Sequence, residues 1–217
     1  MPIAAMIFDL DGVLIDSEGA WDAARRAIAR EHGGHWKPEA TEAMIGMSST
    51  EWSSYMHDEL GVQASPEQIS DVVVARLEAL YRQDLPLLPR ARETVVSLAR
   101  EWPLALASSA NRAIIDLVLE LADLSDQFSA TTSSEEVERG KPAPDVYLET
   151  ARRIDVEPTA CAAVEDSGNG LRSAAAAGMT VIAIPNREFP PDSDALALAD
   201  DVLDSLAQLT LERVREL

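Results

Sequence analysis

The chain has 217 residues, of which 47% are hydrophobic, and its formal net charge is −20 at pH 7. This hydrophobic content excludes a disordered chain, and an acidic chain without a Lys/Arg cluster does not provide the basic face that nucleic acid or an anionic membrane requires. No apolar run reaches the length of a membrane span, and the single cysteine, Cys161, cannot form an internal disulfide. We therefore expect a cytoplasmic protein without a signal peptide, and we expect a monomer.

The first predicted element is a buried strand over residues 3–8, which are apolar and end at Asp9. Helical patterns follow at about 16–32, 38–45, 49–60 and 66–84. In the first of these, Trp21, Ala24 and Ile28 form one apolar stripe. Ser65 is suited to cap the last of these helices, with Pro66 in its first turn. Because no strand pattern interrupts this region, the sequence predicts an inserted all-helical cap domain over residues 16–87.

The second part of the chain alternates between strand and helix patterns. Helices are predicted at 90–101, 111–121, 143–154, 170–177 and 205–216, and strands at Leu104–Ala107, Phe128–Thr131, Ala160–Val164, Met179–Ile184 and Asp200–Leu203. Such alternation is typical of a parallel sheet with helices on both faces. The expected fold class is α/β, with a Rossmann-like core domain formed by residues 1–15 and 88–217.

Polar side chains follow the predicted strands at the points where these strands end. They are Asp9 and Asp11, Ser108 and Ser109, Lys141, and Glu165 and Asp166. The carboxyl ends of parallel strands share one edge of the sheet, and ligands bind outside that edge. Carboxylates brought together there would repel each other unless a cation lay between them. Oxygen ligands with room left for water and substrate suit Mg²⁺.

These residue types are those that phosphoryl transfer requires. Asp9 can attack phosphorus as a nucleophile and form an aspartyl-phosphate. Asp11 can protonate the leaving oxygen and later activate water. Ser108 and backbone N–H groups at the following helix start can hold phosphoryl oxygens, and Lys141 can neutralise developing charge. Taken singly, each residue also has an ordinary explanation as a turn, a helix cap or a surface charge. Their occurrence at successive strand ends is what favours a shared site.

Four sequence motifs resemble those of the haloacid dehalogenase (HAD) superfamily, in the branch with a helical cap after the first strand. They are Asp9-Leu10-Asp11-Gly12-Val13-Leu14-Ile15-Asp16-Ser17-Glu18, Ala107-Ser108-Ser109, Gly140-Lys141-Pro142-Ala143-Pro144-Asp145 and Val164-Glu165-Asp166-Ser167. The resemblance implies that Asp9 is the nucleophile and Asp11 the general acid and base. It also implies Mg²⁺ bound by the Asp9 carboxylate, the Asp11 backbone carbonyl and Asp166. Glu165 would lie nearby as a ligand or outer-shell group, and Ser108, Ser109 and Lys141 would hold the phosphoryl group.

Within this family an acid at position 11 is typical of phosphatases and phosphomutases, whereas dehalogenases lack it. The β-phosphoglucomutases of this branch carry a His where this chain has Trp21, and an Arg where it has Ser49. We therefore expect a phosphatase that acts on a small phosphorylated metabolite, a sugar or polyol phosphate, with a sugar phosphomutase as the alternative. The cap is expected to close over the strand ends about hinges near 14–17 and 84–89.

Substrate contacts in the cap are predicted at a few positions that follow its expected hinge and its second helix. These are Glu18, Trp21, Gly46, Met47 and Ser49. The tryptophans of this region also have an ordinary interpretation as the apolar core of the cap. A signalling receiver domain would use similar residue types, but it places the phosphorylated Asp after a middle strand and needs only about half this length.

Overall fold

The computed structural model describes residues 2–217 and contains a six-stranded parallel sheet. The strands are β1 (Ala5–Phe8), β2 (Leu104–Ser108), β3 (Phe128–Ser133), β4 (Cys161–Glu165), β5 (Thr180–Ala183) and β6 (Asp201–Val202). They lie in the order β3-β2-β1-β4-β5-β6. The prediction of an α/β fold with a parallel sheet is confirmed. Strand β1 lies in the middle, so Asp9 follows it between the ends of β2 and β4.

Both faces of the sheet are covered. Alternate residues of β1 point to opposite faces, as the pleat of a strand requires. Met6 and Phe8 belong to one apolar cluster, while Ala5 and Ile7 belong to a second one on the other face. All four side chains are fully buried. Because both faces of β1 are buried, its sequence is a continuous apolar run, which is typical of strands in parallel sheets.

The helices lie close to their predicted positions, with differences at the C-terminus. They are α1 (Glu18–Glu31), α2 (Ala40–Met44), α3 (Ser49–Asp58), α4 (Pro66–Gln83), α5 (Ala91–Leu98), α6 (Arg112–Leu121), α7 (Asp145–Arg153), α8 (Gly168–Ala176), α9 (Ser193–Leu196) and α10 (Leu211–Arg215). The single helix predicted over 205–216 is wrong. A 3₁₀ turn at Leu206–Gln208 and the short α10 replace it, because Leu209, with φ −80° and ψ 80°, leaves the helical conformation between them.

Helices α1 to α4 form the region predicted as a cap, and residues 18–83 contain helices but no strand. Trp21, Ala24 and Ile28 are buried on one face of α1, as their spacing indicates. Helices α1 and α3 both pack against α4, and α4 also packs against α6 next to the sheet. Ser65 caps α4 by accepting a hydrogen bond from the Gln68 N–H. No helix among residues 2–217 combines the length and the hydropathy needed to cross a membrane.

The two chain segments that join the helical region to the sheet run side by side. The Asp16 N–H donates to the Pro86 carbonyl at 2.8 Å, and the Leu88 N–H donates to the Leu14 carbonyl at 2.9 Å. The predicted hinges lie in these two segments. The domain boundaries at 15/16 and 87/88 stay predictions, as does closure about these hinges.

Candidate active site

The ends of β1 and β4 bring three buried carboxylates together. One carboxylate oxygen each from Asp9, Glu165 and Asp166 lies within 4.8 Å of the other two. Lys141, which is 3% exposed, lies between two of these side chains. Its Nζ is 2.9 Å from Asp9 Oδ1 and 2.6 Å from Glu165 Oε1, and it donates to the Ala107 carbonyl. The predicted meeting of these four residues at one sheet edge is therefore present in the structure.

Glu165 is the most enclosed of the three carboxylates. It is fully buried, and the Tyr147 hydroxyl donates a 2.6 Å hydrogen bond to its Oε1. Its Oε2 accepts a hydrogen bond from the Asp166 N–H. With Lys141 and Tyr147 both bound to Oε1, Glu165 is fixed in place and serves as a counter-charge to Lys141.

Two glycines make room for these acids. Gly12 has φ +74°, and a Cβ on it would lie 1.8 Å from Asp166 Oδ2. A Cβ on Gly170, at the start of α8, would lie 1.8 Å from Glu165 Oε2. At Gly12, glycine is required both by the left-handed backbone and by the approach of the carboxylate. Gly12 and Gly170 thus let the chain pass directly against the acidic cluster.

Burial and mutual repulsion disfavour the charged forms of the clustered acids. Burial raises the pKa of Asp9. The positive charge of Lys141 opposes this increase, and the negative charges of Glu165 and Asp11 reinforce it. Burial, with the charges of Glu165 and Asp9, raises the pKa of Asp166 well above its usual range. For Lys141, burial lowers the pKa, but the charges of Asp9 and Glu165 outweigh this effect and the pKa lies above its ordinary value.

This donor set fits a divalent cation. One lysine faces three buried carboxylates, so the cluster lacks positive charge, and a cation would hold Asp9 and Asp166 in their ionised forms. The donors are all oxygen atoms, which hard cations such as Mg²⁺ prefer to the nitrogen and sulfur ligands of zinc sites. The cluster is thus able to hold the magnesium ion that the sequence predicts.

Asp11 lies beside this cluster and is held by the helical region. The Trp21 Nε1–H donates a 3.0 Å hydrogen bond to Asp11 Oδ1. The Asp11 side chain therefore faces the cap, while Asp9 faces Lys141. This arrangement separates the two aspartates of the motif, although only Leu10 lies between them in the sequence.

Ser108 and Ser109 have different surroundings. Ser108 is fully buried, and its Oγ accepts a hydrogen bond from the Ala110 N–H, as expected for a residue that caps a turn. Ser109 lies in the pocket wall, and its hydroxyl donates to the Gly46 carbonyl of the helical region. Ser109 thus lines the pocket whereas Ser108 does not, and the phosphate contacts of both serines stay predictions.

A small pocket of about 40 Å³, partly open to solvent, lies between the strand ends and the helical region. Of the cap residues predicted to contact substrate, Glu18, Trp21, Gly46 and Met47 line it. Ser49 is absent from its lining, and its hydroxyl donates instead to Glu135 Oε1 at 3.0 Å. As the first residue of α3, Ser49 faces the core domain.

Sequence reasoning missed six residues of the pocket lining, which are Arg25, Met44, Ile45, Trp52, Ala110 and Ser167. Arg25 follows Trp21 by one helical turn and is 6% exposed. Arg25 falls on the same stripe of the helix as Trp21 and Ile28, and a charged residue that is buried on an apolar stripe needs a partner. This position was the signal that the sequence offered for Arg25. Trp52 carried no signal that separated it from an ordinary core residue.

Comparison with known proteins agrees with this geometry. The family model for haloacid dehalogenase-like hydrolases matches residues 3–178. Hexitol phosphatase B of Escherichia coli (strain K12) is 37% identical over 215 residues, which cover 96% of this chain and 95% of that protein. A probable pseudouridine-5′-phosphatase of Drosophila melanogaster is 31% identical over 214 residues, covering 95% of this chain and 91% of that protein.

A solved structure shares the fold over nearly the whole chain. The β-phosphoglucomutase of Clostridium difficile superimposes with a TM-score of 0.85 at 24% identity, covering 99% of this chain and 96% of that protein. At this identity the likeness shows the fold alone. The family match and the relatives named as phosphatases show that the chain belongs to the haloacid dehalogenase-like hydrolases and is a phosphatase, an enzyme that hydrolyses phosphoric monoesters.

Proposed function

We propose that this phosphatase hydrolyses the phosphate esters of sugars or polyols through an aspartyl-phosphate intermediate, with Mg²⁺ as its cofactor. The observation that carries the proposal is the position of Asp9, whose carboxylate lines the pocket together with Lys141, Asp166 and the cap residues. A bound phosphomonoester would place its phosphorus against Asp9 and its organic part against the cap. The name of the E. coli relative, a hexitol phosphatase, supports a polyol as that organic part.

The reaction then has two steps, in which Asp9 and Asp11 have separate roles. An Asp9 carboxylate oxygen attacks phosphorus, the bond to the ester oxygen breaks, and Asp11 donates a proton to the departing alkoxide. Asp11, now ionised, takes a proton from a water molecule that attacks the phosphorus of the aspartyl-phosphate. The bond between Asp9 and phosphorus breaks, which releases inorganic phosphate and restores Asp9.

The remaining residues hold charges in place. Lys141, which lies 2.9 Å from Asp9 Oδ1, would neutralise charge on the phosphoryl oxygens, and Ser109 in the pocket wall would contact them. Asp9 and Asp166, with the Asp11 carbonyl implied by the family resemblance, would hold Mg²⁺. When bound, Mg²⁺ keeps the Asp9 carboxylate ionised and stabilises charge on the phosphoryl group. Glu165 holds Lys141, and the Trp21 indole orients the Asp11 carboxylate through the 3.0 Å hydrogen bond.

The proposal is tested by phosphate release from D-sorbitol 6-phosphate and p-nitrophenyl phosphate at 5 mM MgCl₂. We expect turnover by the wild type, loss with EDTA, and a fall of about 10³-fold or more in kcat for Asp9→Asn, because the attacking group is removed. Asp126→Asn, which changes an exposed aspartate outside the site, is the matched control and should keep full activity. Unimpaired turnover by Asp9→Asn would refute the mechanism.

A second assay, with glucose 1-phosphate as substrate, separates the phosphatase from the sugar phosphomutase alternative. A phosphatase releases inorganic phosphate irreversibly, whereas a mutase returns the phosphoryl group to a sugar and accumulates a bisphosphate. Quantifying both products from glucose 1-phosphate by ³¹P NMR decides between the two. Conversion of glucose 1-phosphate to glucose 6-phosphate without phosphate release would favour the mutase.

A further inference from the structure

Arg25 is a buried cation in the cap wall of the pocket. Its guanidinium contacts two indole rings that also pack against each other, with Cζ 4.8 Å from the centroid of Trp21 and 5.0 Å from that of Trp52. The whole residue is 6% exposed, and it lines the pocket that also contains Asp9 and Lys141. These cation–π contacts hold the guanidinium in the pocket wall but offer its N–H groups no hydrogen-bond acceptor.

The hydrogen-bonding capacity of this side chain is not filled by the protein. Arg25 Nε has no hydrogen-bond partner within the described part of the chain, residues 2–217. A buried donor without an acceptor is energetically unfavourable. The two indole rings do not provide an acceptor for this N–H, because their own nitrogens are donors only. A group that enters the pocket can supply one, which makes Arg25 a ready donor to a ligand.

The charges around Arg25 indicate what kind of acceptor fits. Burial lowers the pKa of Arg25 to about 10, against the opposing charges of Glu18 and Asp11, so the guanidinium is still charged at neutral pH. Glu18 lines the same pocket, and Asp11 lies at its base. A second anionic group on the substrate would gain from Arg25 but would also lie next to Glu18, a carboxyl group whose pKa burial raises to about 7. A hydroxyl group carries no charge, and it can accept from Arg25 while donating to a carboxylate.

We propose that Arg25 is a specificity-determining residue, which donates hydrogen bonds to uncharged hydroxyl groups on the organic part of the substrate. Glu18 accepts hydrogen bonds from the same hydroxyl groups, and the two indoles hold the guanidinium in the pocket wall. This inference rests on the proposed phosphatase activity and narrows its substrate class to polyhydroxylated monophosphates without a second charge.

Three phosphomonoesters and three proteins test the inference. D-Sorbitol 6-phosphate and 6-phosphogluconate share one carbon chain but end in a hydroxymethyl group and a carboxylate, respectively, while p-nitrophenyl phosphate lacks hydroxyl groups. The wild type, Arg25→Met and Arg26→Met are compared by kcat/KM. Arg26 is the matched control, because it is the neighbouring arginine but is exposed and lies over Trp36, outside the pocket.

The wild type should use sorbitol 6-phosphate at least tenfold better than 6-phosphogluconate. Arg25→Met should lower kcat/KM for sorbitol 6-phosphate about 10- to 100-fold, as expected for the loss of a hydrogen bond from a charged donor. With p-nitrophenyl phosphate, the same variant should stay within about threefold of the wild type, since that ester offers no hydroxyl acceptor. Arg26→Met should match the wild type on all three esters.

Other outcomes overturn the inference. An equal loss on sorbitol 6-phosphate and p-nitrophenyl phosphate would show that Arg25 only supports the structure of the site. A wild-type preference for 6-phosphogluconate would show that it binds an anion. If Arg25→Met does not fold, as judged by circular dichroism, Arg25→Lys replaces it, with a smaller loss confined to sorbitol 6-phosphate. Failure of the wild type to hydrolyse any of the three esters would instead refute the proposed function.

Discussion

The acids at the strand ends leave no space for an added methyl group at the neighbouring glycines. A Cβ at position 170 would lie 1.8 Å from Glu165 Oε2, and the same side chain holds Lys141. Because Glu165 is fully buried between Lys141 and Tyr147, it has little room to move aside. A side chain at position 170 would therefore displace Glu165 and, with it, Lys141, which faces Asp9.

We predict that Gly170→Ala lowers both stability and activity. Overpacking of a filled core costs about 1–3 kcal/mol, and in a protein of this size the melting temperature falls by about 2–4 °C per kcal/mol. Displacement of Glu165 and Lys141 should also lower kcat by about tenfold or more, because small misplacements of catalytic groups reduce rates steeply. Differential scanning fluorimetry and the phosphate-release assay measure the two effects.

Gly19→Ala is the matched control for this substitution. Gly19 lies in the first turn of α1, is exposed, and has no atom within 4 Å of an added Cβ. Alanine there should be neutral or stabilising by up to about 1 kcal/mol, because glycine loses more backbone entropy in a helix. Equal effects of the two substitutions would contradict the packing argument at Gly170.

The sequence predicted the core acids but only part of the cap. Asp9, Glu165, Asp166 and Lys141 could be placed because the carboxyl ends of parallel strands share an edge whatever the exact packing. The direction of the Ser49 side chain depends on how α3 lies against the core domain, which no local pattern encodes. The pairing of Arg25 with two tryptophans likewise depends on the packing of α1 against α3.

At the scale of elements, local signals located most helices and strands to within a few residues. The start of α4 was the clearest case, because Ser65 and Pro66 specify a helix N-terminus by their own chemistry. The C-terminal region was predicted less well. Helix α9 has four residues, too few for a periodic pattern, and the apolar residues around Leu209 continue a helical spacing that the backbone does not follow.

The N-cap of α4 provides a stability prediction. Ser65 Oγ accepts from the Gln68 N–H, and Gln68 Oε1 accepts from the Ser65 N–H. Ser65→Ala removes one of these bonds and should destabilise the protein by about 1 kcal/mol, whereas Ser65→Asp should keep most of the stability. Urea denaturation followed by circular dichroism measures the difference.

Ser205→Ala is the control for this N-cap. Ser205 precedes the 3₁₀ turn at Leu206–Gln208 but forms no side-chain capping bond. We expect its replacement to leave the free energy of unfolding within about 0.5 kcal/mol of the wild type. A loss at Ser205 as large as that at Ser65 would mean that the capping bond is not the cause.

At the scale of the whole molecule, Glu135 joins the helical region to the sheet. Its Oε1 accepts hydrogen bonds from the Ser49 hydroxyl of α3 and from the Asn111 amide, and its Oε2 accepts from the Arg112 N–H. The Ser109 hydroxyl forms a second link, to the Gly46 carbonyl. These contacts hold the cap against the strand ends at the edge of the pocket.

We predict that Glu135→Ala weakens these contacts between the cap and the core domain and, if the cap closes over substrate as predicted, its closed form. A hydrogen bond contributes about 0.5–1.5 kcal/mol, so KM for a phosphomonoester should rise about 2- to 10-fold as the closed population falls. Amide hydrogen exchange should increase at the N-terminus of α3. Glu138→Ala, an exposed substitution in the same segment, is the control. Unchanged KM together with lower thermal stability would show that Glu135 supports folding rather than closure.

The two chain segments that join the helical region to the sheet run side by side, and this has an evolutionary consequence. Because Asp16 and Pro86 are hydrogen-bonded to each other, the two ends of the helical region lie next to each other. A segment with neighbouring ends can be lengthened, shortened or exchanged without changing the register of the strands on either side. We predict that chimeras that carry the helices of a relative between residues 16 and 86 keep phosphatase activity where the donor retains the Trp21 hydrogen bond to Asp11, and that their relative kcat/KM values shift towards those of the donor.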